Sequence, residues 1–142
     1  MAEETTDDPT QVLHGLMPFA RTLGITVLRY EPAVVRARLD WAPELCTAGG
    51  VLHGGVLMAL ADSTGGACAY LNLPDGAQGT TTVESKTNFI RAVRGGAVAS
   101  VSRPLHIGRT LIVVETDVRD ERDRLIVRTS QTQLVLSGLK VD

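Results

Sequence analysis

The sequence predicts an α+β domain: one long central helix lying across one face of a curved, mostly antiparallel sheet of five to six strands. Two observations carry this. Only residues 54–71 hold an unbroken run long enough for an extended helix. Most of what remains alternates with a period of two between clusters of turn residues. At 142 residues the chain makes one domain, large enough to bury a core without disulfide or metal staples.

Residues 1–9 read as a disordered tail and 10–142 as the domain. Residues 10–22 form a short helix, with Thr10 as its cap and Val12, Leu13, Leu16, Phe19, Ala20 and Leu23 at helical spacing, interrupted by Pro18. From Ile25 to Trp41 the period is two. Ala33, Val35, Ala37 and Leu39 alternate with Val34, Arg36, Arg38 and Asp40, the pattern of a strand with one buried face. "APELCTAGG" is a loop by composition. The long helix follows and ends at Asn72 and Pro74. Four strands complete the chain, at about residues 79–93, 96–106, 110–120 and 124–136.

Composition narrows the function classes. Hydrophobic residues at 44% and charged residues at 21% describe a folded chain. A net charge of -2 and 4% aromatic residues supply neither the basic face nor the stacking platforms that nucleic acids need. "MAEETTDD" has no apolar core, so it reads as neither signal nor transit peptide, and no apolar stretch approaches membrane-spanning length. Cys46 and Cys68 lack CxxC spacing and histidine neighbours, so no metal and no cofactor is expected, and the expected location is the cytoplasm.

The chemistry concentrates in "GGVLHGGVLMALAD", residues 49–62. On a helical wheel Val56, Leu57, Leu60, Thr64, Ala67 and Leu71 form a stripe assigned to the sheet. Gly55, Met58, Asp62, Gly65, Gly66 and Ala69 fall on the opposite side, which is small and apolar apart from one acid. A water-facing side would carry Lys, Glu or Gln, so this side is expected to pack against another chain. Asp62 then points into an apolar interface, either as a structural acid bonded to a neighbouring Ser or Thr or as a chemical group. The glycines of "HGG" at 53–55 open the helix, where free N–H groups stabilise negative charge.

A carboxylate and an oxyanion-binding N–H are the parts needed to hydrolyse an acyl compound. Gly54 and Asp62 are eight residues apart, roughly 12 Å along a helix, too far to reach one carbonyl from a single chain. Antiparallel packing of two helices brings Asp62 of one chain to Gly54 of the other, with two equivalent sites per dimer.

"GGVLHGGVLMALAD", "TTVESKTNFIRAV" at 81–93 and "GRT" at 108–110 together resemble the hotdog-fold thioesterases of the phenylacetic-acid-pathway and 4-hydroxybenzoyl-CoA type, over about residues 20–136. The resemblance implies a hotdog fold, a homodimer or homotetramer, and hydrolysis of acyl-CoA thioesters at the dimer interface without a metal. It makes Asp62 the catalytic nucleophile or general base, Gly54 the donor to the thioester carbonyl and His53 the residue that shapes that turn. Thr82 matches a Ser or Thr that positions the attacking water. Thr47, Gly55, Met58, Gly65, Arg91 and Arg109 are assigned to substrate, the arginines to the CoA phosphates with Arg94 and Arg103 as further candidates. Thr47 stands where the family usually has asparagine, and Ala92 where it has proline. A non-catalytic acyl-CoA binder and, from the same fold, a dehydratase are the alternatives; the latter lacks its "HFP"-like segment here.

Overall fold

The computed structural model describes residues 7–138. Helices α1 (Pro9–Leu16) and α2 (Pro18–Thr22) lead into β1 (Thr26–Glu31) and β2 (Val34–Asp40). Two 3-10 turns, Pro43–Leu45 and Ala48–Gly50, precede α3 (Gly54–Leu71). Strands β3 (Gly79–Phe89), β4 (Ala97–Ile107), β5 (Leu111–Asp120) and β6 (Leu125–Leu136) complete a six-stranded sheet in the order β1-β2-β4-β5-β6-β3. All neighbouring pairs are antiparallel.

This is the expected α+β architecture, with local differences. The helix expected over 10–22 is two helices. Pro18 has no N–H to donate and disfavours helical backbone at the preceding residue, and Met17 sits at φ -132° and ψ 86°. Asp8 rather than Thr10 caps α1, its Oδ1 accepting from the Thr10 N–H at 3.0 Å. Thr10 Oγ1 instead accepts from the Val27 N–H at 2.9 Å and ties α1 to β1. The strand expected from Ile25 to Trp41 is a hairpin that turns at Pro32 and Ala33. β3 stops at Phe89, because the N–H groups of Ile90 and Arg91 both turn to the Ile126 carbonyl, at 2.8 and 3.3 Å. Of the tail expected over 1–9, residues 1–6 lie outside the described residues, and Pro9 already opens α1.

α3 lies on the concave face of the sheet. Leu57, Leu60, Ala67 and Cys68 pack there against Val35, Ala37 and Leu39 of β2 and Ile112, Val114 and Val118 of β5, all buried. Each fully buried leucine contributes about 1.5–3 kcal/mol. Asn72 closes the helix: its Nδ2 donates to the Cys68 carbonyl at 2.8 Å and to the Pro32 carbonyl at 2.7 Å, anchoring the C-terminal end to the β1–β2 turn.

Within this core runs a polar seam. Ser102 Oγ donates to Thr64 Oγ1 at 3.0 Å and shares a 2.7 Å bond with Thr116 Oγ1, and Thr64 Oγ1 donates to the Leu60 carbonyl at 2.9 Å. Inward positions of β6 continue it with Thr129, Gln131 and Gln133, all buried. β3 forms one edge of the sheet: it pairs with β6 on one side only, with Val83 left out at a register shift. Among the described residues no helix is long and apolar enough to cross a membrane.

Candidate active site

Asp62 sits on the exposed side of α3 with Gly55 and Met58, two turns and one turn before it respectively. Its Oδ1 accepts from Gln131 Nε2 at 2.7 Å and from Thr82 Oγ1 at 3.3 Å. Thr82 in turn accepts from Gln133 Nε2 at 2.6 Å and from Gln131 Nε2 at 3.2 Å. Its two lone pairs are thus occupied by amides, and its single proton is left for the carboxylate. Asp62 Oδ2 has no such bond among the described residues. One carboxylate oxygen is therefore held from below while the other is left without a bond. Thr82 was expected to position water; in this arrangement its hydroxyl is directed at Asp62.

The helix entry is built by His53. It is the N-cap residue, and its Nδ1 accepts from the Gly55 N–H at 2.8 Å. This bond selects the neutral tautomer with the proton on Nε2. The Gly55 N–H is thereby used inside the chain, and a side chain on Gly55 would strike the imidazole. The Gly54 N–H, in the first turn, has no acceptor among the described residues. An N–H directed out of a helix N-terminus is suited to a developing oxyanion.

The two parts lie in different grooves. Asp62, Gly66, Thr82 and Gln133 line one of about 380 Å³, whose walls include Leu16, Met17, Tyr30 and Tyr70. Gly54, Thr47, Phe89 and Arg91 line another of about 340 Å³ at the helix entry. Arg91 Nη1 donates to the Leu125 carbonyl at 2.9 Å, at the start of β6. Arg109 lies in the β4–β5 turn, at the other end of the strands, where Val135 pairs with Thr110. A single chain thus does not bring Arg91 and Arg109 together. Arg94 lines a third, polar groove with Asp120 and Arg124, and Arg103 pairs in register with Glu115 on the sheet.

The helical wheel needs one correction. Gly65 and Ala69, expected on the side away from the sheet, are buried, and Gly66 is half-buried. The sheet curves far enough round α3 to cover more than one stripe, and Met17 covers Gly66. Gly65 therefore provides no open room beside Asp62; a side chain there would run into the Gln131 amide. Asp62, expected in an apolar interface, is exposed in the single chain.

Gln131 and Gln133 are the residues that sequence reasoning missed. Their signal is in "TSQTQLV": glutamine at two successive inward positions of a strand, where Val127 and Val135 hold the same face. Among the described residues no cluster of three or more His, Cys, Asp or Glu is placed to hold a metal.

Comparison with known proteins identifies the family and the fold. The family model described as "Thioesterase superfamily" matches residues 49–127. A Mycobacterium tuberculosis protein provisionally named an esterase is 32% identical over 123 residues, covering 85% of this chain and 88% of its own. The 1,4-dihydroxy-2-naphthoyl-CoA hydrolase of Escherichia coli is 36% identical over 87 residues, 61% of this chain and 63% of that protein. A solved Haemophilus influenzae thioesterase superposes with a TM-score of 0.84 at 28% identity, covering 92% of each chain.

Proposed function

Because the chain belongs to the thioesterase superfamily, with the hotdog fold of its thioester hydrolases, we propose that it hydrolyses acyl-CoA thioesters at a site shared between two protomers. The observation that carries the second half is the separation of Asp62 and Gly54 into two grooves on one helix. The unpaired edge of β3 and the exposed Met58, Val83, Phe89 and Ile90 near it supply the surface along which two copies meet. An eleven-residue edge strand left open in solution invites pairing with another strand. Edge-to-edge antiparallel pairing of two β3 strands sets the two α3 helices antiparallel, Asp62 of each beside Gly54 of the other. It also brings Arg91 of one protomer toward the end of the strands that holds Arg109 of the other, which suits a ligand with several phosphates.

The thioester carbonyl oxygen accepts from the Gly54 N–H, which stabilises the oxyanion as the carbonyl carbon becomes tetrahedral. Asp62 Oδ2 either attacks that carbon or takes a proton from the attacking water. In both cases the C–S bond breaks, the CoA thiolate leaves and is protonated, and one water is consumed to give the free acid. The acyl group occupies the groove beside Asp62, where Tyr30, Tyr70, Met17 and Leu16 offer an apolar wall with two phenolic hydroxyls. A volume of about 380 Å³ admits an aryl or a short to medium acyl group.

The test is thiol release from phenylacetyl-, hydroxybenzoyl-, short- and medium-chain acyl-CoAs by the wild type and by Asp62→Asn. Release by the wild type that is lost in the variant supports the reading. Near-normal turnover by Asp62→Asn overturns it, and tight binding without release by the wild type identifies an acyl-CoA binder.

A further inference from the structure

Gln131 and Gln133 are 0% and 1% exposed, in the middle of a strand whose other inward residues include Val127 and Val135. A buried amide costs stability unless both its ends are bonded. Only one end of Gln131 is. Nε2 uses both hydrogens, on Asp62 Oδ1 at 2.7 Å and on Thr82 Oγ1 at 3.2 Å, while Oε1 is buried without a donor. Turning the amide over would set Oε1 against the carboxylate, so the orientation follows from charge. A core selected for packing alone would hold an apolar side chain at this position.

Gly65 belongs to the same arrangement. A Cβ on Gly65 would overlap Gln131 Oε1. Glycine inside a helix is less stable than alanine by about 1 kcal/mol, and here its absent side chain is what lets the amide rise to the helix surface one turn from Asp62. Gln133 completes the arrangement from β6: by donating to Thr82 it directs the threonine proton onto Asp62.

We propose that Gln131 is a positioning residue for the catalytic carboxylate, kept in place by the missing side chain of Gly65 and aided by Gln133 through Thr82. This rests on the hydrolytic role of Asp62 proposed above. With two donors on Oδ1, the carboxylate cannot rotate freely on an exposed helix face, and Oδ2 is the oxygen left for the substrate groove that Asp62 lines. The dependence is on turnover rather than on substrate affinity, because neither Gln131 nor Gly65 lines that groove.

The test compares Gln131→Met and Gly65→Ala with wild type and with Asp62→Asn, reading kcat, KM and thermal midpoint on the acyl-CoA that the wild type turns over best. Gln131→Met removes the unpaired oxygen and is expected to melt at or above the wild-type midpoint, while kcat falls at least tenfold and KM stays within twofold. Gly65→Ala keeps the glutamine but displaces its amide, so the same fall in kcat is expected, and the double variant is no slower than the slower single. Should Gln131→Met fail to fold, Gly65→Ala alone carries the kcat reading. A kcat within twofold of wild type in folded Gln131→Met or Gly65→Ala overturns the proposal, as does a loss that appears only in KM. If Asp62→Asn retains turnover, the underlying reading of the acid fails instead.

Discussion

Replacing Gly54 with proline deletes one N–H and changes little else. Gly54 is the first helical residue, where proline is well accommodated, and His53 before it already has the extended backbone, φ -60° and ψ 134°, that a following proline requires. The added Cβ would come within 3.2 Å of the Phe89 ring, which is 52% exposed and can yield by the few tenths of an ångström needed. The fold is therefore expected to survive with its melting temperature nearly unchanged. Loss of one oxyanion donor lowers kcat by about 10²–10³-fold. The decisive form of the experiment joins Gly54→Pro and Asp62→Asn in one dimer, purified through two different affinity tags. In a shared site one of the two sites then has both groups and the other has neither, so thiol release per dimer returns to about half the wild-type value. In a site made within one chain every site carries a lesion, and release stays at the level of the inactive homodimers. That second result would refute the shared site, and full activity in Gly54→Pro would refute the role of the N–H.

Three further outcomes are expected. Met58→Glu places a charge on the exposed face of α3, where the proposed dimer would set it beside its two-fold copy; sedimentation is then expected to show a folded monomer, with kcat/KM reduced at least about tenfold because each site loses half its groups. Burial pushes the Cys68 thiol up to about 11 from 9.0, so between those values the unfolded chain has released a proton that the native state keeps. Stability then falls with rising pH over that window by about 1 kcal/mol per unit relative to Cys68→Ala, measured by urea unfolding, and maleimide at pH 8 labels half-buried Cys46 first. Asp117 accepts from Arg128 Nε at 2.7 Å and Nη2 at 2.9 Å and from Arg119 at 3.2 Å, bonds that hold its carboxyl below the usual carboxylate range. The stabilisation is present above that range and is lost as pH falls through the lowered value; for a pair this accessible it amounts to about 1 kcal/mol, read as the difference from Asp117→Asn in acid unfolding.

Much of the fold was legible because it is set by neighbours in the chain. The period of two, the single long helix and its end at Asn72 depend on residues within a few positions of one another, and the structure has them where the pattern placed them. The β1–β2 turn escaped because Pro32-Ala33 carries none of the Asn-Gly or Gly-X signal by which two-residue hairpins are usually read. Arg38 and Arg36 alternated as expected with Ala37 and Leu39, but nothing local announced that the strand had turned back on itself.

The sequence alone determined an α+β domain, the helix that carries Asp62, and the separation of about 12 Å between Asp62 and Gly54, since helical rise is the same in any context. Only the tertiary structure decided what holds the acid. Gln131 is 69 residues from Asp62 and Thr82 is 20, and they meet because β6 pairs with β3 in one register beneath α3. A shift of that register by one residue would turn both glutamines out of the core. Burial of Gly65 was settled in the same way, by the curvature of the sheet around the helix, which no pattern within the helix encodes.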